Sequence, residues 1–308
     1  MNGILPLWKE RGMTSHDCVF RLRKILHTKK VGHGGTLDPD VDGVLPICIG
    51  KGTKVIEFLT DSGKEYEGEI TLGYATTTED ASGEVVKRDL LTGPFSTEEI
   101  DQAMQSLVGE ITQIPPMYSA VKVNGKRLYE YARNGQTVER PQRKVQVDSF
   151  ARTSPPSYQK KEQLQSWRFK VVCGKGTYIR TLAVDVGKKL GVSAHMSDLT
   201  RIKSGGFTKQ QTVTLEQVQT AVKENHIDDL LVPIEYGVQH FQRIDINTEL
   251  WQKVRNGMRL SYQDFQLTEM PVAPIAIFYQ SKVVSLYEPN PKEKSGLKPL
   301  KVLRNEVS

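Results

Sequence analysis

At 308 residues the chain is long enough for one large domain and a smaller one, and its make-up, 38% hydrophobic and 25% charged, is that of an ordinary folded protein without low-complexity tracts. The 42 Lys and Arg against 36 Asp and Glu leave a net charge of +6, a mild basic tilt that suits a polyanionic partner and excludes a polybasic tail. Cys18, Cys48 and Cys173 are odd in number and widely spaced. They form no C-x-x-C pair, so neither a disulfide framework nor a zinc site is indicated, and free buried thiols in a reducing cytosol are expected. The first residues, MNGILPLWKERGMTS, reach charge within nine positions, and no apolar run is long enough to span a bilayer. A cytoplasmic protein with no membrane partner is expected.

In chain order, a first helix is predicted from about Thr14, with Asp17 as its capping-box partner and Val19, Leu22, Ile25 and Leu26 as its apolar face. The Gly-rich turn Gly32-His33-Gly34-Gly35 follows, then a short buried strand from Val44 to Ile49. Tyr66, Gly68, Ile70 and Leu72 alternate with polar residues, the period of a half-buried strand. Ser96 and Glu99 open a second helix, whose face is Ile100, Ala103, Met104, Leu107 and Val108 and which Gly109 is expected to close. From Lys122 to Lys144 there are seven Lys and Arg against two Glu, with Tyr129 and Tyr131 among them. Thr153 to Gln163 reads as a polar linker, after which a strand from Trp167 to Cys173 runs into Gly174-Lys175-Gly176-Thr177. A helix then carries Ile179, Leu182, Ala183, Val186 and Leu190 and stops at Gly191, and Thr214 to Val222 gives a further short helix. Beyond Val238 short strand candidates, Pro274 to Gln280, Val283 to Tyr287 and Leu300 to Leu303, are separated by Asn, Pro and Gly turns. Mixed strands and helices followed by a small β module predict an α+β protein. No heptad or long apolar edge requires a dimer, and a monomer is expected.

The densest cluster of chemistry is His33-Gly34-Gly35-Thr36-Leu37-Asp38-Pro39-Asp40-Val41-Asp42-Gly43. Asp38, Asp40, Asp42 and Gly43 imitate the first half of a calcium loop, but the twelfth position, where that loop needs a bidentate acid, is Ile49, and the ninth is Pro46. A phosphatase-type D-x-D would follow a continuous apolar strand, whereas this one follows a Gly-rich turn. Gly50-Lys51-Gly52-Thr53 lacks the spacing of a P-loop. On residue type alone Asp38 reads more readily as a turn aspartate accepting backbone N–H groups.

The segment G-H-x-G-T-L-D-P-x-x-x-G-V-L-P closely resembles the catalytic motif of the bacterial tRNA pseudouridine-55 synthases, the TruB family. The resemblance continues, in order, through Gly12 to Asp17, Lys64-Glu65-Tyr66, Gln113 to Ala120, Lys175 to Leu182 and Ala194 to Arg201. It implies a pseudouridine synthase catalytic fold over residues 1–237, a mixed or antiparallel sheet with flanking helices, with a basic RNA-binding insert at about 122–144. It also implies a PUA-like domain over 238–308 gripping the acceptor arm. The implied partner is tRNA, held at its T-arm and elbow, and the implied reaction uses no cofactor and no metal.

That reaction breaks the bond from N1 of uracil to the ribose, turns the base and rejoins it through C5, and it needs an anion beside the ribose and base. The resemblance places the essential aspartate on Asp38. At an unperturbed pKa of about 3.9 roughly one such carboxyl in a thousand is protonated at pH 7, so it is an anion without an activating base. The same resemblance pairs it with Arg180, which offsets the cost of burying a carboxylate. Extruding a stacked uracil costs a few kcal/mol, which an aromatic platform returning about 1–3 kcal/mol would offset. By resemblance that platform is Tyr66, with Tyr178 and Leu199 lining the uracil pocket and His33 displacing the base. The glycines around His33 leave it few expected packing neighbours. Three departures stand out: Gly34 where Thr is usual, expected to loosen the His33 loop; Glu10 in place of a proline; and Thr200 in place of an arginine, removing one expected phosphate contact.

Overall fold

The computed structural model describes residues 1–307. Helices start where side chains can satisfy the free N–H groups of a first turn. Thr14 and Asp17 form a reciprocal capping box on Ser15–Ile25, Ser96 and Glu99 do the same on Thr97–Gln105, and Thr214 with Gln217 opens Leu215–Lys223. Helix Ile179–Leu190 ends at Gly191, whose φ of +75° is the left-handed turn that favours glycine.

A ten-stranded sheet organises the larger part of the chain. Its path runs Gly3–Lys9, Asp42–Ile49, Ala194–Ser204, Lys64–Leu72, Leu164–Cys173, Arg143–Arg152, Gly109–Gln113. The strand Ala194–Ser204 joins the two halves, parallel to Asp42–Ile49 and antiparallel to Lys64–Leu72. Its register sets Arg201 beside Gly43 on one side and beside Tyr66 on the other. Helices Thr97–Gln105 and Ile179–Leu190 bury Ile100, Ala103, Met104, Leu182 and Val186 with Ile70, Leu72, Trp167 and Val171. Helices Ser15–Ile25 and Leu215–Lys223 press Cys18, Val19, Leu22 and Val218 onto Leu5, Leu7, Leu45 and Ile47.

A separate five-stranded sheet, in the order Gln242–Asp245, Ile275–Tyr279, Lys282–Pro289, Gly296–Val302, Leu260–Ser261, forms the β-rich C-terminal part. Ala276, Phe278 and Leu286 of this sheet share an apolar cluster with Ile4, Val44 and Val55. The architecture is α+β, as the order of elements predicted. No helix among the described residues is long and apolar enough to cross a membrane.

Four local expectations change. The residues read as a polar linker contain a strand, Ser157–Gln159, that folds back on Leu164–Cys173 as a hairpin, its polar side chains facing outward. Gly109 does not close its helix, which ends at Gln105; with a φ of +104° it starts the strand Gly109–Gln113 instead. The Gly-rich turn begins as a short strand, Val31–His33, paired with Asp42–Ile49. The C-terminal part includes a helix, Thr248–Val254, capped by Asn247 and burying Trp251 and Val254. At seven residues it is too short for a helical period to stand out from its surroundings.

Candidate active site

Asp38 sits on a loop between Gly35 and Gly43, two glycines with φ of +108° and +133°. At Gly43 a Cβ would meet the Arg201 carbonyl oxygen at 2.3 Å, so this close crossing of strands admits only glycine. The loop is held from several sides. The Leu37 N–H donates to Ser15 Oγ at 2.8 Å, the Gly12 N–H to the Pro39 carbonyl at 3.0 Å, and Lys9 Nζ to the same carbonyl at 3.1 Å. Lys9 is fully buried, and desolvation lowers its pKa against the pull of Cys18, Asp42, Asp38 and Asp40.

Asp38 faces a cavity of about 500 Å³ lined also by Arg11, Asp80, Tyr118, Tyr129, Arg133, Arg180 and Leu199. Arg180, at the second position of helix Ile179–Leu190, has a side chain 7% exposed and brackets the carboxylate: Nε lies 3.0 Å from Oδ2, and NH2 donates to Oδ1 at 3.3 Å. The rest of its fork is used as well. NH1 donates to the Thr78 carbonyl and NH2 to the Tyr118 carbonyl, both at 2.9 Å, while Asp80 stands 3.7 Å from NH1. Such a planar donor set fixes the carboxylate in orientation as well as charge.

Asp38 is not an unperturbed aspartate. The protein packed behind it pushes its pKa up, Arg180 and Lys9 oppose that, and the like charges of Asp80 and Asp40 reinforce it. Its side chain is still 38% exposed on the cavity side, where a substrate would reach it.

The other residues singled out from the sequence divide into two groups. Leu199 lines the cavity. Tyr66 is buried at 7% exposure on the sheet behind Asp38, and burial raises its phenol pKa, with Arg201 pulling it down and Asp38 adding slightly. Tyr178 lies just before helix Ile179–Leu190 and is half-buried; the buried Gln113 amide clasps its backbone, accepting from Tyr178 N–H at 2.9 Å and donating to its carbonyl at 3.2 Å. Burial raises the Tyr178 pKa too. The aromatic rings on the cavity wall are instead Tyr118 and Tyr129. Tyr129, from helix Leu128–Arg133 of the basic segment, has the Arg127 and Arg133 guanidinium groups over its ring at 5.8 and 5.3 Å.

His33 is not the loosely packed side chain that its glycine neighbours suggested. It is half-buried, its Nδ1 is enclosed with no hydrogen-bond partner, and it is not among the residues lining the cavity. Desolvation, with Arg201 and His16 adding, lowers its pKa. Nor does Gly34 loosen this segment: its N–H donates to the Pro46 carbonyl at 2.8 Å, and a Cβ there would find ordinary contacts from 3.5 Å outward. Thr200, in place of the expected cation, donates to Asp42 Oδ1 at 2.6 Å, and Arg11 reaches both Asp42 and Asp198 at 3.2 and 2.7 Å. Asp80, Gln113, Lys9 and Arg201 are site residues that sequence reasoning left without a role. Gln113 and Arg201 fall inside motif blocks, and Lys9 is the lysine of the K-P-x-G pattern in which Glu10 replaces the proline; Asp80 carries no signal outside the fold.

A carboxylate and guanidinium pair at the floor of an open pocket, on a sheet of this order, defines the class: a pseudouridine synthase fold whose site offers a fixed anion. The profile described as TruB family pseudouridylate synthase (N terminal domain) matches residues 23–179, and that described as tRNA pseudouridylate synthase B C-terminal domain matches 180–239. The chain is 52% identical over 303 residues to tRNA pseudouridine synthase B of Lactiplantibacillus plantarum, covering 98% of each chain. It is 54% identical over 302 residues to that of Streptococcus gordonii, covering 98% of this chain and 99% of the other. Among solved structures, a chain of the Cbf5-Nop10-Gar1 complex superposes with a TM-score of 0.75 at 28% identity, covering 98% of this chain and 85% of that one. The chain belongs to the TruB family of pseudouridylate synthases, and it is an isomerase.

Proposed function

We propose that the protein converts uridine-55 in the T-loop of tRNA to pseudouridine, with Asp38 as the reactive anion. The observation that carries this is the Asp38–Arg180 pair, two bonds of 3.0 and 3.3 Å at the floor of an open cavity. The rearrangement breaks the N1–C1′ bond, forms C5–C1′, releases the proton of C5 and leaves N1 to take up a proton from water. It therefore needs an anion held against ribose and base, together with room for an extruded nucleotide. Arg180 favours the charged form of the carboxylate and opposes the effect of its burial. By the family resemblance Tyr66, Tyr178 and Leu199 surround the uracil; of these Leu199 lines the cavity while Tyr66 and Tyr178 stand behind its wall, and Tyr118 and Tyr129 present the ring faces on which a flipped base can stack.

The basic segment 122–144 serves as the clamp on the T-arm. Its hairpin of Lys122–Val123 and Lys126–Arg127 and its short helix carry exposed cations beside aromatic faces, which suits phosphates and unstacked bases. Residues 1–237 form the synthase unit and 238–308 a PUA-like unit directed at the acceptor arm, the whole acting as a monomer without cofactor or metal. The curated relatives carry tRNA in their names, and a solved neighbour at 26% identity is titled as bound to a substrate RNA containing 2'-deoxyuridine.

The test of the substrate is tritium release from tRNA labelled at C5 of uridine. One equivalent released per tRNA, and none when uridine-55 alone is replaced by cytidine, is the expected result. Release that survives this replacement would place the reaction at another uridine.

A further inference from the structure

Arg201 stands at the centre of the ten-stranded sheet and is 1% exposed. Its guanidinium makes three hydrogen bonds, all to main-chain carbonyls: Nε to Val44 at 2.9 Å, NH1 to Thr36 at 3.2 Å and NH2 to Gly35 at 3.1 Å. It takes part in no ion pair among the described residues, and buried Lys64, whose pKa its charge helps to lower, has the same sign. A cation buried without an acid partner is costly, and the middle of a sheet is where an apolar side chain would serve stability better. Such a group is expected where it does something packing alone does not.

The three carbonyls bracket Asp38. Gly35 and Thr36 lie just before it and Val44 just after, so both ends of the loop close on one planar fork. The register pairs Arg201 directly with Tyr66, and directly opposed residues of neighbouring strands project to the same face. One side chain thus touches the frame of the Asp38 loop and stands beside the Tyr66 ring.

We propose that Arg201 is a positioning residue for the isomerisation, its guanidinium fixing the Asp38 loop and Tyr66 in a common frame. The proposal rests on the reading of Asp38 as the reactive anion. Arginine suits the task because its N–H groups diverge in a plane toward three fixed acceptors, a geometry the single ammonium of lysine does not reproduce. The loop has other anchors in Ser15, Gly12 and Lys9, all on the far side at Leu37 and Pro39. A lysine at 201 therefore leaves the loop tethered while releasing its two ends.

The experiment compares wild type, Arg201→Lys and Asp38→Asn in single turnover on an unmodified tRNA transcript, with hydrogen exchange read along the chain. A misplacement of about an ångström at the reacting group costs about a hundredfold, so Arg201→Lys is expected to lose about that much rate while tRNA affinity stays within about threefold. Exchange should rise over residues 35–44 and stay unchanged in the C-terminal sheet. Wild-type turnover in Arg201→Lys would overturn the proposal, as would a loss of rate accompanied by faster exchange throughout the ten-stranded sheet. Should Arg201→Lys fail to fold, Gly35→Ala shifts one accepting carbonyl, because alanine is strained at a φ of +108°, and leaves the cation intact. The same loss of rate at unchanged affinity is expected there, and unchanged turnover would overturn the proposal. An inactive Asp38→Asn beside a fully active Arg201→Lys defeats only this proposal, whereas a fully active Asp38→Asn defeats the reading of the site itself.

Discussion

The ten-stranded and five-stranded sheets meet along one apolar cluster, yet they bury different things. The larger sheet and its helices enclose Lys9, Lys64, Gln113, Gln165, Arg180, His195 and Arg201, four of them basic residues of the kind rarely taken out of water. Among the described residues beyond 238, the buried polar side chains are Ser285 and Asn290, and the rest of the smaller core is apolar. Stability alone accounts for the second pattern. Part of the first is explained by the Asp38 loop. Lys9 and Arg201 donate to main-chain carbonyls of that loop and Arg180 to the Asp38 carboxylate, so three of the four buried Lys and Arg side chains converge on it, while Lys64 donates to the Thr60 and Ser62 carbonyls.

The contrast can be broken by mutating each side. Arg180→Met removes the main stabiliser of the Asp38 anion and leaves three carbonyl and carboxylate partners without their donor. Loss of an electrostatic contact of this kind costs about a hundredfold to a thousandfold in single-turnover rate. The stability change is smaller, about 1–3 kcal/mol in urea melts, because the cavity side of Asp38 is open to water. Equal activity in the variant would remove the pair from the mechanism. Ile277→Ala, in the apolar core of the smaller sheet, should show the opposite profile. It is expected to lose about 2–5 kcal/mol of stability with an unchanged rate per folded molecule. A loss of rate without a loss of stability would mean that the C-terminal sheet shapes the site directly.

The smallest effect is on pH. Asp38 must be ionised to act, and its pKa is raised by burial, so the acid limb of the rate profile should lie above the ordinary aspartate range. Asp80→Asn removes one like charge that contributes to this rise, and the limb should move to lower pH. Movement the other way would show that Asp80 acts chiefly through Arg180. The raised value also means that the folded state holds this proton more tightly than the unfolded chain. Stability should therefore fall as pH rises from the ordinary to the raised value.

Much of this was legible in the residues. The capping pairs Thr14 with Asp17 and Ser96 with Glu99, the alternation from Tyr66 to Leu72 and the glycine stop at Gly191 located elements correctly, because each signal is local. Asp38 and Arg180 came from motif blocks 142 positions apart and meet in the cavity. What the sequence hid depends on distance. His33 is half-buried with its Nδ1 enclosed, which its adjacent glycines do not foretell, because burial is set by residues distant in the chain. The raised pKa of Asp38 comes from packing, which composition does not encode. Helix Thr248–Val254 was lost among turns because seven residues carry too little period. Arg201 lies within a motif block, but its role follows only from a register that sets it between Gly43 and Tyr66.

Whether the rearrangement turns on Asp38 is read by mixing excess enzyme with C5-tritiated tRNA. Full release by the wild type, none by Asp38→Asn, and equal tRNA affinity for both are expected. Release by Asp38→Asn at the wild-type rate would contradict that role of Asp38, as would tight binding by both proteins with no release from either.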